Sequence, residues 1–213
     1  TQNYSGSIRE YECHLAMSSA RKCLSQSVHL NFSNFSQIPL NDYLIKKTTH
    51  TITPSVISIV NQITVSYEYQ KSTPLINRNL TEIAQLYLPK TAVIDNIKLD
   101  NVEIPASELA AQEEATLSRY QFLVSTELNK SHTLQINYTI PLQEKTILPI
   151  AFSVASIKQS GDSNSESTIE INIPEQSRAS AVTSEVQSTP DKIIYKEPNT
   201  TSVFGINFVP KFL

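Results

Sequence analysis

Acid–base chemistry in this chain would have to come from its four histidines, His14, His29, His50 and His132. None of them lies in a motif that marks a catalytic base, and the three glycines are too far apart for a phosphate-cradling loop or a nucleophile elbow. A Ser-His-Asp site built on His50 or His132 stays open, because such triads are recognised by geometry and not by order along the chain. The pattern favours solvated strand histidines, and we predict no catalytic residues and no enzyme.

The two cysteines, Cys13 and Cys23, can form a disulfide or remain as two thiols. In the chain-entropy description, a bridge over so short a loop stabilises a fold by ~3 kcal/mol. A zinc site with His14 and His29 is the alternative, but a C-x-x-C pair is absent, and adjacent Cys13 and His14 diverge along an extended backbone. We predict a Cys13–Cys23 disulfide, with no metal and no cofactor.

One loop could present oxygen atoms to a cation. Asp162, Asn164 and Glu166 alternate in the segment GDSNSES, a spacing that can direct side-chain oxygens towards calcium. The internal glycine and the distal glutamate of the known calcium loop are missing, so the segment is better interpreted as a polar hairpin turn.

Seven asparagines stand in N-x-[ST] sequons, roughly twice the number that this composition gives at random. They are Asn3, Asn31, Asn34, Asn79, Asn129, Asn137 and Asn199. Their number indicates a glycosylated extracellular protein, with a bias towards asparagine, serine and threonine as the alternative explanation.

The elements that must position these residues are β-strands. Apolar and polar residues alternate at 63–69, 134–140, 169–173 and 204–208, which is the period of a half-buried strand. The turns contain proline, asparagine, aspartate and serine rather than glycine, which favours longer connections and crossovers between sheets. We predict an all-β protein, a β-sandwich of immunoglobulin-like or related type with about ten strands.

One segment departs from this rhythm. Residues 106–118, ASELAAQEEATLS, are rich in helix formers, and Ser107 follows Pro105 in a position suited to an N-cap. We predict a short inserted helix that covers a sheet edge, with a recognition helix as the alternative.

The strand pattern also suggests a division of the chain. Residues 1–40 are expected to form an N-terminal extension with the cysteine-bridged segment, and residues 41–141 a first β-sandwich. Residues 142–213 are expected to form a second, smaller sandwich or a continuation of the first.

Charge and composition narrow the choice of partner and compartment. The 17 Lys and Arg residues are scattered and the formal net charge is -3, which argues against nucleic acid as a partner. No apolar run of about 18 residues is present, so we expect membrane attachment only through a segment outside this chain. The polar, hydroxyl-rich composition points to an extracellular or cell-surface location.

The chain resembles the C-terminal β region of a family of bacterial membrane-anchored surface proteins, the domain of unknown function 4012 family, over about residues 30–208. The similar segments are NDYLIKKTTHTI at 41–52, ITVSYEY at 63–69, YLPK at 87–90, LQINYTIP at 134–141 and SIKQ at 156–159. The resemblance implies an outward-facing, membrane-anchored protein with no known catalytic residues. The glycine-rich turns of that family are missing here, and the segment with the two cysteines has no counterpart in it.

These features predict a non-catalytic extracellular or cell-surface binding or adhesion module, whose loops at one end of the sandwich meet a protein or a glycan. The alternative is a structural subunit of a cell-envelope or extracellular assembly. Such a subunit would associate with copies of itself or with other proteins by strand addition or through matching faces.

Overall fold

The structure is a computed structural model, and it describes residues 22–34, 44–69, 79–114, 117–127, 130–143, 145, 150–156, 165–181, 186–196 and 202–211. These residues form fifteen strands and one 3-10 turn, with no α-helix among them. The predicted all-β class is therefore confirmed, although with more strands than expected. In the described ranges, no helix has the length and apolar character needed to cross a membrane.

The strands form two sheets. The front sheet contains, in order of pairing, β12 (Ser177–Ala181), β15 (Ser202–Pro210), β10 (Ile150–Ser156), β1 (Lys22–Asn34), β4 (Asn79–Pro89), β8 (Leu117–Glu127) and β7 (Ala110–Glu113). The back sheet contains β13 (Val186–Ser188), β14 (Lys192–Lys196), β11 (Glu166–Asn172), β2 (Leu44–Pro54), β3 (Ser58–Tyr69), β9 (His132–Pro141), β5 (Val93–Leu99) and β6 (Val102–Glu103).

Two parallel pairings join distant parts of the chain. β1 runs parallel to β10 over residues 22–28 and then antiparallel to β4 over residues 29–34. β2 runs parallel to β11. Strands from before residue 40, and from both sides of residue 141, thus share the two sheets.

The core lies between the sheets, where the inward residues of each strand are apolar. The alternation predicted for 134–140 is confirmed, since Leu134, Ile136 and Tyr138 are fully buried and Ile140 nearly so. The intervening polar residues of β9 lie half-buried on the outer face of the back sheet. A strict period of two leaves one register in which the apolar set is buried.

The predicted helix at 106–118 is wrong. Only Ala106–Glu108 form a 3-10 turn, after which β7 pairs with β8 as an edge strand. Helix propensity differs between residues by less than about 1 kcal/mol, so backbone pairing with a neighbouring strand overrides it. Leu109 and Leu117 are too few to give a helix an apolar face, and Leu109 instead packs against the core from the turn.

A two-residue turn joins β5 to β6. Its central residues, Asp100 and Asn101, have φ of 50° and 66°. Left-handed backbone at both positions is the geometry of a type I′ hairpin, which aspartate and asparagine tolerate. A tight hairpin therefore forms here without glycine, contrary to the expectation of longer connections.

Candidate functional site

Outward-facing residues of β1, β4 and β8 form two rows on the front sheet. In the first row His29 pairs with Tyr87, which pairs with Arg119. In the second row Asn31 pairs with Gln85, which pairs with Gln121. These six half-buried residues are called the front patch. Strand spacing and rise give the patch dimensions of about 10 by 7 Å.

Aromatic rings form one side of the front patch. The rings of His29 and Tyr87 are stacked, with centroids 5.1 Å apart and an angle of 23° between their planes. Burial lowers the pKa of His29, and the neighbouring Asn31 side chain offsets this only in part. The imidazole is therefore neutral near pH 7, and the stack carries no charge.

Arg119 brings a positive charge that its neighbours largely balance. One Nη2 hydrogen is donated to Gln112 Oε1 on β7. Arg119 Nε lies 3.9 Å from Glu114 Oε1, which is an ion-pair distance but longer than a hydrogen bond. The front patch is consequently close to electroneutral.

Three polar atoms of the front patch have no solvent contact and make no hydrogen bond of ordinary geometry, although the Asn31 side chain lies close enough to His29 to raise its pKa. They are His29 Nδ1, Asn31 Oδ1 and Arg119 Nε. A buried polar group without a partner costs about 1–3 kcal/mol, so native proteins rarely place several of them together without a functional or solvent-mediated reason.

The outer face of the back sheet differs, because its polar side chains bond to one another. Asn137 Nδ2 donates to Asn96 Oδ1 at 2.8 Å, and Thr139 Oγ1 donates to Asp95 Oδ2 at 3.0 Å. Further pairs are Asn172 with Thr53, Lys47 with Glu68 and Lys192 with Glu170. The polar side chains of this face therefore hydrogen-bond with one another, whereas those of the front patch leave three polar atoms without such bonds.

A polar cluster lies between the two sheets. Asn61 Oδ1 accepts hydrogen bonds from Gln26 Nε2 at 2.5 Å and from His50 Nε2 at 3.0 Å. The hydroxyl of Tyr138 lies 3.2 Å from Gln26 Nε2 and 3.4 Å from His50 Nε2. All four residues are buried, so His50 is not the solvated strand histidine that was expected.

The amide of Asn61 fixes the proton on His50. Asn61 Nδ2 donates to the Ile59 carbonyl, so Oδ1 must be the atom that faces His50 and Gln26. His50 then carries its proton on Nε2. Burial lowers the pKa of His50 to about 4, partly offset by Asn61, and it raises the pKa of Tyr138.

A second polar pair also joins the sheets. Lys46 Nζ donates to Glu82 Oε1 at 2.7 Å, and both side chains are nearly buried. The ammonium lies 4.3 Å from the ring centroid of Phe32 and 5.7 Å from that of Tyr67. Burial, followed by the charge of Glu82, raises the pKa of the Tyr67 hydroxyl.

His132 lies at one end of the sandwich, where it satisfies the distance condition for an Asp–His pair. His132 Nδ1 is 2.6 Å from Asp100 Oδ2, and Thr133 N–H donates to Asp100 Oδ1 at 2.8 Å. Partial burial raises the pKa of Asp100, but these hydrogen bonds outweigh it and hold that pKa below its ordinary value. His132 Nε2 accepts the Glu127 N–H at 3.0 Å, so the nitrogen that would activate a nucleophile is occupied by backbone.

The predicted site residues are placed as follows. Asn31 and Asn34 lie on β1, Asn79 begins β4, and Asn137 lies on β9 with its Nδ2 donating to Asn96. Cys23 also belongs to β1.

The remaining predicted residues lie outside the described ranges. These are Cys13, His14, Asn3, Asn129, Asn199, Asp162 and Asn164. The Cys13–Cys23 disulfide and the calcium alternative therefore stay predictions. Within the described ranges, no three or more histidine, cysteine, aspartate or glutamate side chains are grouped so as to hold a metal ion.

Sequence reasoning missed most of the front patch. His29 was considered as a source of acid–base chemistry and as a zinc ligand, and Tyr87, Arg119 and Gln121 were not proposed as site residues. Part of this set could have been found from the sequence, because Tyr87, Arg119 and Gln121 occupy outward positions of alternating strands. The pairing that brings them together is not encoded in local spacing.

Comparison with known proteins yields a likeness of fold only. No family model and no curated protein matches the chain. A proposed nutrient binding protein of Legionella pneumophila superposes with a TM-score of 0.50 at 8% identity, covering 87% of this chain and 70% of that one. This likeness agrees with the sheet architecture.

Two further solved structures are more distant. Yeast LTA4 hydrolase has a TM-score of 0.41 at 8% identity, covering 83% of this chain and 30% of that one. An M1 zinc metallopeptidase of Deinococcus radiodurans has a TM-score of 0.39 at 8% identity, covering 78% of this chain and 42% of that one. Neither similarity carries an argument about this protein.

Proposed function

We propose that this chain is a non-catalytic binding module of the extracellular space or cell surface, which meets a protein or a glycan through the front patch. The observation that carries the proposal is the set of three unpartnered polar atoms on one sheet face. A bound partner supplies the hydrogen bonds that this face lacks, which makes binding favourable where the free protein is left unsatisfied. The sequence analysis expected the partner at the loops at one end of the sandwich, whereas this proposal places the contact on a sheet face.

The histidine environments support a non-catalytic role. His132 Nε2 is engaged by the backbone of Glu127. His50 is buried among Asn61, Gln26 and Tyr138, none of which is a nucleophile activated by it. His50 and His132 thus act through hydrogen bonds that hold strands together.

The sequons support an extracellular location, and one of them restricts how the module can act. Asn31 belongs both to a sequon and to the front patch. A glycan attached to Asn31 would occupy the patch, so modification and binding there exclude each other. The binding form of the protein carries no glycan at Asn31.

The test uses protein produced in a host without N-glycosylation, measured by surface plasmon resonance against immobilised extracellular glycoproteins and envelope polysaccharides. We expect saturable binding that Gln121→Arg abolishes. Gln62→Arg is the matched control, because Gln62 is an exposed outward residue of β3 on the other sheet. Binding that is lost equally in both variants, or in neither, would remove the front patch from the function.

The structural-subunit alternative rests on a different observation. β7 pairs only with residues 118–121 of β8. In the described part of the chain, no strand pairs with residues 122–127 of β8 on the side away from β4, and Leu123 there is 61% exposed. An uncovered strand edge is a template for strand addition.

Light scattering over a concentration series separates the two functions. Self-assembly through this edge predicts oligomers that Leu123→Lys reduces, with Gln62→Lys, at an exposed outward position of β3 in the other sheet, as the control. A monomer at every concentration would exclude the alternative.

A further inference from the structure

The chemistry of the front patch narrows the class of its partner. Resting on the proposed binding function, we propose that the front patch binds an uncharged saccharide. The inference comes from the kinds of polar atoms left without partners, from the charge balance of the patch and from its aromatic stack.

The unpartnered atoms form a mixed set of donors and acceptors. Arg119 Nε is a donor and Asn31 Oδ1 is an acceptor, whereas Nδ1 of the neutral His29 takes either role according to its tautomer. A hydroxyl group both donates and accepts, so a row of sugar hydroxyls matches such a set. A phosphate or sulfate offers only acceptors near pH 7 and would leave Asn31 Oδ1 facing another acceptor.

The charges point the same way. Glu114 and Gln112 already face the guanidinium of Arg119, and His29 is uncharged. Recognition of a polyanion requires several cations on one surface, and the front patch has one that is largely balanced. An uncharged ligand does not need additional cations on the front patch.

The aromatic stack supplies the apolar part of the contact. The ring pair of His29 and Tyr87 stands beside the amides of Gln85 and Gln121 in the adjoining row. Ligand sites combine apolar and aromatic surface with a few directed polar groups. A pyranose ring offers the complementary arrangement, with C–H groups on its face and hydroxyls at its rim.

The unpartnered atoms lie just below the surface. Each has no solvent contact, yet the side chains that carry them reach the surface, and that of Arg119 is 25% exposed. A ligand would engage them through rotation of these side chains. A sugar hydroxyl that reaches these atoms would supply the hydrogen bonds that they lack.

The experiment is a binding panel with the unglycosylated protein. The probes are oligomers of glucose, mannose, galactose and N-acetylglucosamine, with heparin as the charged comparison. Affinity is measured by calorimetry for the original protein and for Tyr87→Ala, Gln121→Ala and Gln62→Ala. Thermal melting of each variant checks that it folds. If Tyr87→Ala does not fold, Gln121→Ala alone tests the contribution of the front patch.

We expect one uncharged class to bind, with affinity reduced about tenfold or more by Gln121→Ala, as for loss of one hydrogen bond, and unchanged in Gln62→Ala. Binding of heparin alone, binding of no oligosaccharide, or equal effects of both glutamine variants would overturn the saccharide assignment.

The failure of this inference is distinguishable from that of the proposed function. If a protein partner binds and Gln121→Arg abolishes that binding, the proposed binding function stands and the saccharide assignment is wrong. A front patch that contributes to no interaction in either experiment would remove both.

Discussion

Acid should destabilise this protein through His50. Its pKa is about 4 in the fold, against 6.5 in an unfolded chain, because the imidazole is buried between the sheets. Between these two values the unfolded chain binds a proton that the folded chain does not. Stability therefore rises with pH across this window, and this contribution is lost as the pH falls from 6.5 to about 4.

The magnitude follows from the size of the shift. The difference between 6.5 and about 4 is about 2.5 pH units, and each unit corresponds to 1.36 kcal/mol, which gives about 3 kcal/mol. Among the residues that the structure describes, the side chains within hydrogen-bonding distance of His50 are Asn61 and Tyr138, neither of which is charged in this range. The nearest strand neighbour with a charge on the inner face is Lys46, which is paired with Glu82.

The assay is urea unfolding at several values between about pH 7 and pH 4, followed by circular dichroism or by tyrosine fluorescence, since the chain has nine tyrosines and no tryptophan. His50→Gln keeps an amide donor for Asn61 but does not titrate. Carboxylates shared by both proteins titrate equally, so the difference between their free energies of unfolding isolates His50. Parallel curves for the two proteins would refute the assignment of His50 as a buried neutral histidine.

Three further outcomes are expected. Ile136→Ala should lower the free energy of unfolding by ~2–4 kcal/mol, while Gln135→Ala should change it little, and equal melting shifts would contradict the register of β9. Lys46→Met should cost ~3–5 kcal/mol by stranding a buried carboxylate, and adding Glu82→Leu should recover most of that loss in chemical denaturation. Thiol titration of the unreduced, denatured chain should find neither cysteine reactive, and two free thiols would end the disulfide prediction.

Local pattern predicted the strands well where one face is buried. The alternation at 63–69 and 134–140 corresponds to β3 and β9, because the period of two reflects burial of one face directly. It failed at 106–118, where intrinsic propensity conflicted with pairing to β8. Short edge strands such as β6 and β13 also escaped notice, since two or three residues carry no measurable period.

The polar sites could not be read from the sequence for a different reason. Lys46 and Glu82 are 36 residues apart, and Gln26 and Tyr138 are 112 apart. Their partners are fixed by which strands face one another across the core. The same holds for the row of His29, Tyr87 and Arg119, whose members come from three strands.

The parallel pairings of β1 and β2 have a consequence for how the chain acquires its fold. Lys22 pairs with Ile150, and Lys47 pairs with Glu166, so both early strands depend on partners more than a hundred residues later. Contacts of such large sequence separation slow folding, since a long loop must close before any pairing energy is gained. During synthesis, β1 and β2 emerge from the ribosome with one edge exposed until β10 and β11 follow. Chaperone protection is most valuable in that interval, when an open edge is most prone to intermolecular pairing.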